Sequence, residues 1–353
     1  MDARVKPAHD VPSLNCTELS LSLPESLRGR LALPAVAAPM FLVSGPDLVV
    51  EACRAGIIGT FPALNQRTSE GYETWLEEIE TRLADARNDD LAPYGINLIV
   101  HRTNPRVDAD LKITVKHEVP LVITSLGAVS ELVDAVHSYG GLVFHDVTTI
   151  RHAEKAAAAG VDGLIAVCAG AGGHAGTVNP FALVAEIRSF FDKTILLSGA
   201  ISTGSQVAAA LMMGADLAYL GTRFIATKES LAPHEFKQMI LDASARDIVY
   251  TPAISGVHGN FLRQSLVEAG LDPDNLPPKP DGYVSGGKRA WKHVWSAGQG
   301  VGSIDDVPST AQLCERLKRE YAEAIVSFHP HPEEARSAVS KDGRDRMLRD
   351  AAM

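Results

Sequence analysis

Eight short apolar segments alternate with helix-like segments between residues 36 and 220, and this alternation restricts the possible folds more than any other feature. Most of the eight are apolar at nearly every position, as expected for parallel strands buried on both faces. Repeated strand–helix units indicate a parallel sheet, and eight of them favour a closed (β/α)8 TIM barrel over an open doubly wound sheet. The predicted strands are residues 36–40, 57–61, 96–100, 121–125, 142–147, 163–167, 195–198 and 217–220.

Glycine residues mark the ends of two of the intervening helical segments. Gly160 and Gly214 each follow a segment with helical period. Glycine just past a helix is a common stop signal, because it adopts the left-handed backbone that ends a helix without steric cost. The clearest predicted helices are residues 129–139, 152–159, 180–191 and 205–213.

The alternation stops after Thr227, and the rest of the chain predicts different structure. Residues 228–249 have a helical pattern, and residues 250–302 are rich in glycine and proline. Residues 309–325 predict a further helix. The predicted units are a barrel over residues 1–228, a smaller substrate or cap domain over residues 229–305, and a C-terminal helix and tail over residues 306–353 that return to the barrel.

Charge and composition restrict the possible partners. The chain has 353 residues and a formal net charge of -10, which disfavours nucleic acid, because phosphate binding needs clustered Lys and Arg. No apolar run approaches the roughly 18 residues of a membrane span. Residues 1–12 lack the apolar core of a signal peptide. We therefore expect a cytoplasmic protein that binds neither nucleic acid nor a membrane.

The residues that commonly bind metals do not form a recognisable metal motif. At the predicted strand ends only His145, Asp146 and His174 could serve, without a carboxylate pair, so no metal site is predicted. Cys168 lies in an apolar strand, and we interpret it as a small buried core residue rather than a reactive thiol. The four cysteines, which show no CxxC pair, are Cys16, Cys53, Cys168 and Cys314.

Two glycine-containing turns are candidates for a phosphate site. Active sites of barrels lie at the carboxyl ends of the strands, and the loops after strands seven and eight commonly bind phosphate. Ser198, Gly199 and Ala200 follow the seventh strand and lead to a helix, while Gly221 and Thr222 follow the eighth. Glycine lets the backbone approach a phosphate, and a helix start supplies N–H groups. The alternative is that both are ordinary turns, but their pairing favours phosphate binding.

The glycine-rich segment before His174 is the most informative part of the sequence. Four glycines lie within residues 170–176, and two of them, Gly172 and Gly173, directly precede the histidine. Such a backbone can pass close to a flat ligand and place an imidazole beside it. A histidine that is neutral near pH 7 can accept a proton from an acidic C–H. The alternative interpretation is a structural histidine that caps a turn.

Three further polar residues stand at predicted strand ends. Asn97 could form hydrogen bonds with a heterocycle such as a flavin, or satisfy backbone groups in a turn. His145 and Asp146 are adjacent on one strand, so only one of them points inward at a given depth. For both we prefer the interpretation of a satisfied polar residue at the barrel rim.

A set of short motifs occurs in a consistent order and resembles the nitronate monooxygenase family, also called 2-nitropropane dioxygenase-like flavoproteins. Flavin-type enoyl-acyl-carrier-protein reductases and flavin-dependent NADH:quinone reductases are related to this family. The resemblance extends from about residue 35 to residue 230. The motifs are Ala38-Pro39-Met40, Gly95-Ile96-Asn97-Leu98, Gly160-Val161-Asp162-Gly163, Ala171-Gly172-Gly173-His174-Ala175-Gly176, Ser198-Gly199-Ala200-Ile201 and Gly221-Thr222-Arg223-Phe224.

The resemblance implies a barrel that binds FMN, with His174 as the active-site histidine. Two features depart from the family pattern. Phe41 follows Pro39-Met40 where small residues are more common, and Gly199-Ala200 replaces a more usual Gly-Gly pair. The residues that the resemblance assigns to FMN are Pro39 and Met40 near the reactive edge, Asn97 at the ring, Gly172 and Gly173 beside the cofactor, and Ser198, Gly199, Ala200, Gly221 and Thr222 at the phosphate.

The function implied by this resemblance is an FMN-dependent monooxygenase that oxidises nitronates or nitroalkanes with O2. One alternative is an NAD(P)H-dependent flavin reductase for a quinone or an enoyl thioester, because nicotinamide can dock directly on a flavin without a separate dinucleotide motif. A second alternative is a flavin-binding barrel without catalysis, and a metal-dependent barrel ranks lowest. A homodimer is expected only by analogy with other barrel enzymes.

Overall fold

The computed structural model describes residues 22–84, 91–101, 103–127, 130–277 and 294–328. Eight parallel strands form a closed barrel in the order β1-β2-β3-β4-β5-β6-β8-β9, and β1 closes it by pairing with both β2 and β9. The predicted barrel is therefore confirmed. Its strands are β1 (Ala35–Ala37), β2 (Ile58–Pro62), β3 (Tyr94–Ile99), β4 (Leu121–Ser125), β5 (Leu142–Val147), β6 (Gly163–Val167), β8 (Thr194–Ser198) and β9 (Leu217–Leu220).

Helices surround the barrel, and the predicted stop signals lie where expected. Gly160 and Gly214 have φ angles of 91° and 98°, so each adopts the left-handed conformation that ends a helix. The described helices are α1 (Pro46–Arg54), α2 (Ser69–Ala84), α3 (Val107–Lys116), α4 (Ser130–His137), α5 (Ile150–Ala158), α6 (Pro180–Arg188), α7 (Gly204–Met212), α8 (Thr222–Ile225), α9 (His234–Asp242), α10 (Arg263–Glu268) and α11 (Thr310–Phe328). None of the helices in the described ranges is long and apolar enough to cross a membrane.

A second, three-stranded sheet lies beside the barrel. It contains β10 (Ile248–Thr251), β11 (Gly259–Leu262) and the short β7 (Gly173–His174), which comes from the loop after β6. The helix predicted over residues 228–249 is wrong at both ends. Only α9 and a short 3-10 helix (Ala245–Asp247) are helical there, and residues 248 and 249 pair with β11 instead, because tertiary pairing overrides a weak local preference. The boundaries proposed for the three units stay predictions.

Alternate residues of each strand point into the barrel. On β5, Phe144 belongs to the apolar cluster inside the barrel, whereas Val143 and Val147 pack against the surrounding helices. Because successive side chains of a strand point to opposite faces, the polar residues at the carboxyl ends divide in the same way. Those that point inward are Asn97 on β3, Ser125 on β4, Asp146 on β5, Ser198 on β8 and Tyr219 on β9.

The last helix packs against the outside of the barrel. α11 contacts α7 closely, and a Cβ at Gly204 would lie 2.0 Å from the carbonyl oxygen of Leu317. Leu313 and Leu317 are buried on one face of α11. Of the chain before α11, Val294, Trp295, Ser296 and Gly300 line the cavity described next.

Candidate active site

One large cavity opens at the carboxyl ends of the barrel strands, with a volume of about 1500 Å³. Every residue that the sequence assigned to the site lines it, although these residues come from five different strand-end loops. Phe41 also lines the cavity, as its position after Met40 suggested. The assigned residues in the lining are Pro39, Met40, Asn97, Gly172, Gly173, His174, Ser198, Gly199, Ala200, Gly221 and Thr222.

The glycine-rich loop after β6 is held by the small sheet. Gly173 and His174 form β7, which pairs with Asn260 and Gly259 of β11. The Asn260 side chain donates a hydrogen bond to the carbonyl oxygen of Ala171 at 2.7 Å. Gly173 has a φ of 69°, and no described heavy atom lies within 4 Å of the position of a Cβ there. The loop therefore leaves space in the cavity beside the histidine.

His174 contacts Ser255, a residue that the sequence analysis did not consider. The Nε2 atom lies 3.3 Å from the Ser255 hydroxyl oxygen, and that hydroxyl donates to the carbonyl oxygen of Val257 at 3.0 Å. The Ser255 hydroxyl proton is donated to the carbonyl oxygen of Val257. The hydrogen bond between Ser255 and His174 therefore requires the imidazole proton on Nε2, which leaves Nδ1 as the basic nitrogen. Burial lowers the pKa of His174, so the imidazole is neutral at pH 7.

The start of α7 is not available to a ligand, which corrects the prediction that it supplies part of a phosphate site. The backbone N–H groups of Ser202 and Thr203 donate to the Gln206 side chain at 2.7 and 3.1 Å. The N–H of Gly204 donates to the Glu320 carboxylate at 2.7 Å. Protein groups therefore satisfy this helix start.

The turns before α7 and α8 remain candidates for phosphate binding. The structure gives the backbone N–H groups of Gly199, Ala200 and Gly221 no acceptor among the described residues. A Cβ on Gly221 would approach only Ala38 and Met40, at 3.8 Å or more. Both turns therefore present bare backbone to the cavity, and backbone of this kind suits an anion.

A segment far along the chain, residues 297–300, completes this side of the cavity. The N–H of Gly298 donates to the Thr222 hydroxyl at 2.9 Å, and the N–H of Gln299 donates to the carbonyl oxygen of Gly170 at 2.8 Å. The carbonyl oxygen of Gly300 accepts from the Ser202 hydroxyl at 2.9 Å. We call this segment the strap. The two glycines of the strap could have indicated from the sequence that this segment approaches another part of the backbone closely. In the structure, a Cβ at Gly298 would lie 2.5 Å from the carbonyl oxygen of Gly170.

Ala200 has a φ of 55°, in the left-handed region. A residue with a Cβ there costs roughly 1–2 kcal/mol, and glycine loses about 0.5–1 kcal/mol more conformational entropy on folding. We therefore expect Ala200→Gly to raise the free energy of unfolding by about 0.5–1 kcal/mol, measured by urea denaturation.

Ala209→Gly is the matched control for that measurement. Ala209 is exposed on α7, so the same change should lower the free energy of unfolding by about 1 kcal/mol. Equal destabilisation by both substitutions would contradict the assigned backbone strain at Ala200.

His145 and Asp146 point to opposite sides of β5 and differ in their surroundings. The His145 Nδ1 atom lies 2.7 Å from the Thr124 hydroxyl, and burial lowers the pKa of this histidine to about 4. The interpretation as a satisfied rim residue is confirmed for His145. It is wrong for Asp146, because its Oδ1 atom is buried without a hydrogen-bond partner among the described residues.

Cys168 is fully buried, and burial raises the pKa of its thiol to about 12. The thiol therefore stays protonated at neutral pH, and the interpretation as a buried core residue is confirmed. Cys53 and Cys314 are also free and buried, whereas Cys16 lies outside the described residues.

Sequence comparisons find a family model that matches most of the chain. Residues 29–320 match the family model described as nitronate monooxygenase. A nitronate monooxygenase from Neurospora crassa is 30% identical, over 82% of this chain and 89% of its own length. A nitronate monooxygenase from Paraburkholderia phytofirmans is 26% identical, over 83% of this chain and 93% of its own length.

Solved structures show the same architecture. A nitroalkane oxidase from Streptomyces ansochromogenes superposes with a TM-score of 0.74 at 27% identity, covering 86% of this chain and 100% of its own. FabK from Thermotoga maritima superposes with a TM-score of 0.70 at 23% identity, covering 85% of this chain and 96% of its own, a likeness in fold alone.

Proposed function

Because the chain belongs to the nitronate monooxygenase family, we propose that it is an FMN-dependent oxidoreductase that oxidises nitronates or nitroalkanes with O2. The observation that carries this proposal is the convergence of the predicted residues on one cavity. His174 lines that cavity together with the turns after β8 and β9. This convergence supports a single space in which an imidazole, a flat ring and a phosphate would meet.

The residues of the cavity are compatible with FMN. Gly173 and Gly221 leave space that a Cβ would occupy. The amides of Gly199 and Ala200 would hold the phosphate, and the Thr222 hydroxyl, which accepts from Gly298, can still donate its proton. When bound, FMN supplies the redox chemistry, taking electrons from the substrate and passing them to O2.

His174 is the residue proposed to handle the substrate proton. Its neutral imidazole can accept the α-proton of a nitroalkane, and the resulting imidazolium can form a hydrogen bond with the nitro oxygens. A nitronate has already lost this proton, so it needs only the hydrogen bond. Ser255 holds the ring through Nε2, which makes Ser255 a positioning residue.

The purified protein is expected to be yellow and to release FMN on heating. In anaerobic mixing, a nitronate should bleach the flavin absorbance rapidly, and admitting O2 should restore it. NADH and NADPH should bleach it much more slowly, as measured by stopped-flow absorbance.

Other outcomes of this experiment identify the alternatives. Rapid bleaching by NADH or NADPH, with no response to nitronates, would favour a flavin reductase for a quinone or an enoyl thioester. Bound FMN that no donor reduces would favour a non-catalytic flavin-binding protein. A colourless protein that takes up no FMN in excess would contradict the proposed function altogether.

A further inference from the structure

Asp146 is a carboxyl group inside the barrel mouth with no role in the function proposed above. It lies on the inward face of β5, two residues after Phe144 of the interior cluster, and it lines the cavity. The Ser125 hydroxyl donates to its Oδ2 atom at 2.5 Å. Its Oδ1 atom is buried and has no hydrogen-bond partner in the described part of the chain. An unsatisfied carboxyl oxygen at a ligand cavity needs a physical explanation.

The hydrogen bonds around Asp146 have a defined direction. The Asn97 side-chain amide uses its two hydrogens on the Ile123 carbonyl oxygen, at 3.2 Å, and on the Ser125 hydroxyl oxygen, at 2.8 Å. Toward a ligand, Asn97 can therefore only accept a hydrogen bond, through Oδ1. Ser125 accepts from Asn97 and gives its single proton to Asp146, so it has nothing left to donate.

The surroundings of Asp146 make its ionisation less favourable than in water. Burial raises the pKa of Asp146 to about 6, the Ser125 hydrogen bond lowers it only in part, and no basic side chain among the described residues contributes. Tyr219 of β9 is a titratable neighbour, and burial raises its pKa well above the usual range, so it stays uncharged.

The remaining neighbours of Asp146 bring no charge to it. Ile165, the register partner of Asp146 on β6, is uncharged, and so are the other inward-facing side chains nearby, Val167 on β6, Ser125 on β4 and Asn97 on β3. His145 points to the opposite face of β5. His174 lines the cavity from β7, and burial lowers its pKa. The carboxyl group therefore sits among neutral groups.

We propose that Asp146 is a flavin-binding acid: its protonated carboxyl donates a hydrogen bond from Oδ1 to an acceptor of the flavin ring. This inference rests on the proposed function. The pyrimidine part of isoalloxazine has one N–H donor, flanked by two carbonyl acceptors. If Asn97 accepts from that N–H, the adjacent ring atoms are acceptors, and only a protonated Asp146 complements them. An ionised Asp146 would face a carbonyl oxygen and repel it.

The affinity for FMN is therefore expected to depend on pH through Asp146. Above about pH 6, the dissociation constant should rise by up to about tenfold per pH unit, because binding must then include protonation of the carboxyl. Quenching of flavin fluorescence, titrated into the apoprotein from pH 5 to 8.5, measures this constant. In Asp146→Asn the amide can donate at every pH, so the rise should disappear.

Two further variants separate this effect from other titrating groups. Asp192→Asn removes an exposed carboxyl outside the cavity and should behave as the wild type. Ser125→Ala removes the hydrogen bond that favours the ionised carboxyl, so the pH at which affinity starts to fall should move upward. The FMN phosphate and His174 titrate equally in all four proteins, so the difference between wild type and Asp146→Asn isolates Asp146.

A measurement without flavin checks the same carboxyl and the folding of the variants. A folded-state pKa above the unfolded value means that ionisation destabilises the folded apoprotein, so this cost is absent below about pH 4 and present at pH 8. Asp146→Asn should therefore unfold at a higher temperature than wild type at pH 8, and at nearly the same temperature at pH 4.

Equal pH dependence of FMN binding in wild type and Asp146→Asn overturns the inference. Failure of wild type to bind FMN at any pH overturns the proposed function as well.

Discussion

Replacing His174 with asparagine is expected to lower kcat/KM for a neutral nitroalkane by roughly 10²- to 10⁴-fold, the usual contribution of a general base. The imidazole is neutral because burial lowers its pKa, and asparagine cannot accept the α-proton. The same variant should lose much less activity with the corresponding nitronate, from which the proton has already been removed. Steady-state kinetics with both forms of one substrate measure the difference.

The affinity for FMN is the internal control for His174→Asn. Neither ring nitrogen is assigned to the cofactor, so the FMN dissociation constant should change by less than about twofold, or roughly 0.4 kcal/mol. His137→Asn changes a partly exposed histidine paired with Asp162 outside the cavity, and it should leave both quantities unchanged. Parallel losses of FMN binding and of turnover with both substrate forms would show that His174 is structural.

Replacing Gly172 with alanine is expected to weaken FMN binding by about 100-fold or more, equivalent to roughly 2.7 kcal/mol. A Cβ at this position would lie 2.8 Å from the backbone nitrogen of Gly298 and 3.1 Å from the carbonyl carbon of Ala297. It would also lie 3.2 Å from the Thr222 hydroxyl oxygen. Two of these atoms are backbone, so the strap must move away from the loop, and overpacking of this kind costs about 1–3 kcal/mol of stability.

Gly302→Ala is the matched control for Gly172→Ala. Gly302 follows the strap, and its Cβ would meet only Ser244, at 3.9 Å, which is ordinary contact. This variant should bind FMN and unfold as the wild type does, measured by fluorescence titration and by urea denaturation. Normal FMN affinity in Gly172→Ala would contradict the close contact between the strap and the loop.

Local features of the sequence predicted the barrel and many of its boundaries. Parallel strands buried on both faces must be apolar at nearly every position, so β4, β5 and β6 were predicted at their observed residues. Glycine is required where the backbone turns left-handed, so Gly160 and Gly214 marked the helix ends. Once strand order and handedness follow from repeated βα units, the loops after successive strands must meet at one end of the barrel. The predicted cavity lining followed from that rule.

Local patterns failed where long-range contacts decide the structure. Residues 248 and 249 were included in the predicted helix but begin β10 (Ile248–Thr251), because β11 offers a paired edge. The sequence suggested that the backbone N–H groups at the start of α7 could bind a phosphate. In the structure, the N–H of Gly204 donates to the carboxylate of Glu320 on α11 instead.

The sequence by itself determined the (β/α)8 barrel, the position of His174 at a strand end and the glycine turns around it, because each of these depends on properties of neighbouring residues. Only the tertiary structure decided that the strap contacts Gly170 and Thr222, that Ser255 contacts His174, and that one oxygen of Asp146 has no hydrogen-bond partner in the described ranges. The physical reason is that hydrogen bonds and burial depend on distances between atoms far apart in the chain, and sequence spacing does not specify those distances.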